Sequence, residues 1–79
     1  MLSLPNDNPL LILTVRQAEA LGHRLEKAGR APLSYAKIGD RMGTSRANAE
    51  RLVAKSLRRL DQSELPREMV EWLKNQAAA

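Results

Sequence analysis

The sequence predicts an all-α fold: a small domain of four or five helices organised around a helix-turn-helix unit. Three observations predict it. Apolar residues recur at helical spacing through most of the 79 residues. Ser or Thr stands ahead of the periodic runs, where N-caps belong. Gly39 and Gly43 lie four residues apart, at the point where two helices must meet.

Taken in order, residues 1–13 read as an N-terminal arm, irregular through Pro5, Asn6, Asp7, Asn8 and Pro9. The apolar run Leu10–Leu13 fits a short strand or a hydrophobic lead-in to the core. At four residues it is far short of the ~20 that a membrane span needs, and no signal peptide is evident. Residues 14–62 form the helix-turn-helix domain. Thr14 with Gln17 is a capping box, so a first helix should run from Val15 to Ala28. Its buried stripe would be Val15, Ala18, Leu21 and Leu25, with Arg16, Glu19, Arg24 and Lys27 facing water. Gly29-Arg30-Ala31-Pro32 ends it.

Ser34 should cap a second helix carrying Tyr35, Ile38 and Met42 on one side. Gly39 falls where a side chain would hold the next helix away. Gly43 supplies the left-handed conformation that a three-residue turn requires. Ser45 then caps a third helix whose inward positions are Ala49, Leu52, Val53, Ser56, Leu57 and Leu60. Asp61-Gln62-Ser63 is a break. Residues 63–79 form a last helix starting near Glu64 or Leu65, with Pro66 in its first turn. Leu65, Met69, Trp72 and Leu73, with Val70 beside them, either cover the core or make a dimer contact. Gln76–Ala79 should fray.

Composition narrows the options. Phe and Cys are absent, and one Tyr and one Trp are the only aromatics. A core of Leu, Ile, Val, Met and Ala in so short a chain supplies roughly 3–5 kcal/mol. Without Cys there is neither a disulfide nor a thiolate metal site, and the chain suits a reducing cytoplasm. Dimerisation is the remaining source of stability, so a homodimer is expected. The formal net charge is +4. From His23 to Arg59, ten basic residues face three acidic ones, a net +7, whereas the first 22 residues sum to −1 and the last twenty to −2. A basic middle between acidic ends suits a polyanion met by one surface.

At 100° per residue, the face of the third helix opposite its apolar side holds Ala47, Arg51, Ala54 and Arg58, with Asn48 and Lys55 alongside. In a helix-turn-helix this helix enters the major groove of duplex DNA. Asn48 can pair with adenine, Arg51 can fork onto guanine, and Ala47 can touch a thymine methyl. Thr44, Ser45 and Arg46 would meet phosphate at the helix N-terminus. Lys55, Arg58 and Arg59 lie too far along to reach bases and would hold the backbone, with Tyr35 and Lys37 on the same strand. Glu50 would pair with Arg46. His23 stands without a second His or Cys, so neither a metal nor a catalytic role is expected. No nucleophile–base pair, ligand cluster or phosphate-binding glycine loop argues for an enzyme, and no cofactor is expected. The stacking aromatics of single-strand RNA readers are missing.

From Leu13 to Leu60 the chain resembles region 4 of the sigma-70 class of bacterial sigma factors. LTVRQAEALGHR corresponds to that family's opening helix, SYAKIGDRMGTSR to its first motif helix and turn, and RANAERLVAKSLRRL to its recognition helix. The resemblance implies a helix that binds promoter DNA. Ala47, Asn48, Glu50 and Arg51 replace the family's usual recognition residues, so its −35 specificity does not carry over. The stand-alone layout, with LDQSELP after the motif, is also similar to plasmid-borne repressors of the KorA/TrfB type, which act as dimers on palindromic operators. The expected function is therefore a cytoplasmic, nucleoid-associated transcriptional regulator. It would repress as a homodimer on double-stranded DNA. The alternative is a sigma-like protein that engages RNA polymerase, as a co-activator or phage-type modulator, through the acidic last helix and Trp72.

Overall fold

The computed structural model describes residues 13–28 and 31–78. Most of the expected N-terminal arm therefore lies outside the described residues. Helix α1 (Val15–Leu25) opens with the anticipated capping box: Thr14 Oγ1 accepts from the Gln17 amide and Gln17 Oε1 accepts from the Thr14 amide, both at 3.1 Å. The helix stops three residues short of Ala28 because a two-stranded ribbon intervenes. β1 (Lys27–Ala28) pairs antiparallel with β2 (Ala31–Pro32). Pro32 disfavours helical backbone at Ala31, which leaves that residue ready to pair.

The buried side of α1 is also rotated from the expected stripe. Leu13, Gln17, Ala20 and Leu21 are buried, Ala18 and Leu25 only partly, and Val15 is 82% exposed. The capping box explains the rotation: with its amide engaged on Thr14, Gln17 can turn inward without stranding a polar group. Arg24, expected in water, falls on the same side. Its Nε donates to Ala77 O and its Nη1 to Leu33 O, both at 2.7 Å, and its guanidinium lies 4.3 Å from the centre of the Tyr35 ring. Arg16 and Glu19 do face solvent, 3.8 Å apart.

Helices α2 (Tyr35–Met42) and α3 (Arg46–Asp61) meet as the sequence requires. Ser34 and Ser45 cap them by accepting from the amides of Lys37 (3.2 Å) and Asn48 (3.0 Å). Gly43 adopts φ 69° and ψ 37°, the left-handed conformation. Gly39 is buried, and a Cβ there would lie 2.8 Å from Thr44 O and 3.0 Å from Ser45 C and O. Helix α3 packs on all three other helices. Ala49, Val53, Ser56 and Leu60 are its buried positions, flanked by the partly buried Leu52 and Leu57. Ser56 is fully buried, and its one hydroxyl proton is shared between Gln17 O (2.9 Å) and Leu52 O (2.8 Å).

Helix α4 (Arg67–Ala78) begins two or three residues later than expected. Ser63 Oγ donates to Leu60 O and accepts from the Leu65 amide, holding that stretch in a turn. Pro66 precedes the helix, and its carbonyl accepts from Met69 and Val70, so its missing N–H costs nothing. The apolar stripe divides between two sides: Val70 is buried, Leu65 and Leu73 pack partly on the core, and Met69 and Trp72 are 38% and 58% exposed. The expected fraying at Gln76 does not occur. Ala77 is buried and its carbonyl is held by Arg24.

The described residues thus form a compact all-helical domain of four helices with one apolar cluster running from Leu13 to Ala77. None of these helices is long and apolar enough to cross a membrane. Gly39→Ala should lower stability by about 1–3 kcal/mol, although alanine favours a helix by about 1 kcal/mol, because its methyl meets backbone rather than a movable side chain. Urea unfolding monitored by circular dichroism measures this, and a midpoint at or above wild type would contradict it.

Candidate nucleic-acid interface

Burial of Ala49, Val53, Ser56 and Leu60 fixes which side of α3 points away from the protein. Ala47, Arg51, Ala54, Lys55 and Arg58 are all exposed there. At 1.5 Å rise per residue, Arg51, Lys55 and Arg58 make a cationic strip about 10 Å long. Arg46 and Arg59 are exposed on its flanks.

Ion pairing elsewhere sharpens the contrast. Glu26 holds both His23 (2.9 Å) and Arg41 (2.8 Å). Asp61 and Glu71 share Arg67 and Lys74, with Arg67–Glu71 at 3.0 Å and Lys74–Asp61 at 3.5 Å. Among the described residues no ion pair engages Arg46, Arg51, Lys55 or Arg58. The expected Arg46–Glu50 pair is therefore not formed. An exposed pair at this spacing gains only a few tenths of a kcal/mol, and less with the base on the N-terminal side.

The turn residues are more organised than the strip. Asn48 is half-buried, and its Nδ2 donates to Thr44 Oγ1 at 2.9 Å. The Thr44 amide in turn donates to Gly39 O at 2.8 Å, tying the turn to α2. Ser45 and Lys37 are exposed, Ser45 at the N-cap of α3 and Lys37 in the first turn of α2. Tyr35 is half-buried beneath Arg24 and packs against the core, so its ring serves the fold. The sequence reading placed Asn48 and Thr44 at the surface but missed the bond between them. Thr44 stands ahead of the α3 N-cap, so helical spacing by itself does not signal the bond.

On α4, Trp72 is exposed with Arg67, Glu68, Glu71 and Asn75 along a shallow groove. Of the four residues considered for a dimer contact, Met69 and Trp72 are accessible, whereas Leu65 and Leu73 are largely engaged with the core. No family model, curated protein or solved structure matches the chain.

Two of the paired carboxylates, Glu26 and Asp61, titrate below the ordinary range. Glu26 is lowered by its hydrogen bonds with His23 and then Arg41, and Asp61 chiefly by that from Arg67, whose own pKa is raised by Asp61 and then Glu71. A carboxylate that is more acidic when folded stabilises the protein above its unfolded pKa, and the contribution is lost as pH falls through the folded value. Stability should therefore decline as pH falls out of the ordinary carboxylate range and through the lowered folded values. Glu26→Gln should show a shallower decline in the urea midpoint over that interval, and an unchanged slope would remove Glu26 from the account.

Proposed function

We propose that this chain is a sequence-specific double-stranded DNA-binding transcriptional regulator, a binding protein and not an enzyme, that sets α3 in the major groove. The observation that carries the reading is the strip Arg51, Lys55 and Arg58. These cations stand exposed and unneutralised on a helix whose opposite side is locked into the core. Among the described residues Arg16, Arg24, Arg41, Arg67 and Lys74 each have a carboxylate or carbonyl partner, which the strip does not have.

In this arrangement Ala47, Asn48 and Arg51 face base edges. Thr44, Ser45 and Arg46, with Lys37, meet phosphate near the start of α3, and Lys55, Arg58 and Arg59 meet it further along. Tyr35, half-buried against Arg24 and the core, is left out of the contacts proposed for the strip. The likeness to sigma region 4 and to KorA/TrfB-type repressors supports a regulator of promoters in the bacterial cytoplasm, acting by repression from a palindromic operator. A homodimer joined through the exposed Met69 and Trp72 would need to hold its two α3 helices about 34–36 Å apart, one turn of DNA. No cofactor is called for. The exposure of Trp72 on α4, beside Glu68 and Glu71, favours one further reading, a sigma-like protein that binds RNA polymerase through α4. Co-purification with polymerase and no duplex binding at low salt would select it.

Random-oligonucleotide selection with the full chain should return an inverted repeat of two half-sites, and sequence-independent recovery would refute specific readout. Arg51→Ala should lose about tenfold or more in preference for guanine at one position of each half-site, measured by competition binding. Lys55→Ala should instead weaken all duplexes alike and reduce the slope of log K against log salt by about 1, read from a salt titration.

A further inference from the structure

We infer that Thr44 is a specificity-positioning residue: its hydroxyl sets the amide of Asn48 in the one orientation that accepts adenine and rejects guanine. The inference rests on the DNA-binding reading above and extends it to how one base is chosen.

The chain of constraint starts at Gly39. Its carbonyl accepts from the Thr44 amide at 2.8 Å, and its missing side chain lets the Thr44–Ser45 backbone sit against α2. Thr44 is thereby fixed before any ligand arrives. Its Oγ1 accepts from Asn48 Nδ2 at 2.9 Å, while the Asn48 backbone amide is fixed by Ser45 Oγ at 3.0 Å. Both ends of Asn48 are held, which removes the rotamer freedom that a surface asparagine would otherwise lose on binding.

A primary amide has two N–H donors and one acceptor oxygen. With one N–H spent on Thr44, Asn48 keeps one donor beside one acceptor. Adenine offers the complement in the major groove, an N7 acceptor beside an N6 donor. Guanine offers two acceptors, N7 and O6, so the amide oxygen would face O6 with no proton between them. A flipped amide would reverse this preference. Flipping requires Thr44 to donate to the amide oxygen, and a hydroxyl has only one proton. When that proton goes to a DNA phosphate, Thr44 can only accept, and the adenine-reading orientation is the one left.

The test is competition binding of the full chain to its selected duplex and to the same duplex with adenine replaced by guanine at the Asn48 position. Wild type should prefer adenine by about tenfold or more, and Asn48→Ala should abolish the preference. Thr44→Val, close in shape but lacking the hydroxyl, should bring the adenine-to-guanine ratio down to that of Asn48→Ala, with Thr44→Ala as the second variant if valine perturbs folding. Thr44→Ser should restore it. Thr44→Val combined with Asn48→Ala should discriminate no worse than Asn48→Ala alone. Loss of a phosphate contact by itself would weaken both duplexes equally and leave the ratio intact. A wild-type ratio in Thr44→Val, with Asn48→Ala defective, overturns the inference and leaves the DNA reading standing. No duplex binding by the wild type overturns both.

Discussion

The distance between α2 and the backbone of the following turn governs the arrangement of this protein. At Gly39 the carbonyl of Thr44 comes within 2.8 Å of where any side chain would begin. That approach sets the angle between α2 and α3, and α3 is the element against which every other helix packs. Once the angle is set, the burial of Ala49, Val53, Ser56 and Leu60 leaves no freedom in which face of α3 looks outward. The outward setting of Arg51, Lys55 and Arg58 thus depends on a missing methyl group in the preceding helix. Gly43 answers to the same geometry, since the left-handed residue brings the chain round in time for Ser45 to cap the next helix.

Polar bonds do much of the work that aromatic side chains do in larger cores. Ser56 spends one buried proton on α1 and on its own helix, and Gln17 enters the interior only because the capping box satisfies its amide. Each bond of this kind contributes about 0.5–1.5 kcal/mol, but leaving such a group unpaired would cost more. No buried side-chain polar atom among the described residues is left without a partner. The interior is therefore specified by direction as well as by volume, which suits a chain too short to rely on apolar area alone.

The sequence was most legible where a single residue type has a single physical use. Thr14, Ser34 and Ser45 marked helix starts to the residue, and Gly39 and Gly43 marked the close approach and the left-handed turn. It was least legible where a side chain has two. Arg24 reads as a solvated charge from its type, yet its apolar stem and forked head suit a half-buried bridge as well. Val15 reads as core from its type, yet it stands outside because Gln17 took the inward position. The β1–β2 ribbon is two residues per strand, below the length at which alternation can be seen. At the surface, the exposed side of α3 followed from periodicity, but the Thr44–Asn48 bond depends on rotamers, which spacing alone does not encode.

Arg24 also bears on how the chain can vary. Its two donors reach carbonyls 44 positions apart in sequence, one just ahead of α2 and one at the end of α4, while its flat face covers a tyrosine. Lysine carries the same charge on a single nitrogen that cannot lie flat on a ring and span both oxygens. An exchange between the two, usually counted as conservative, would here unlatch the last helix from the first. The last turn of α4 is thereby made part of the fold's foundation.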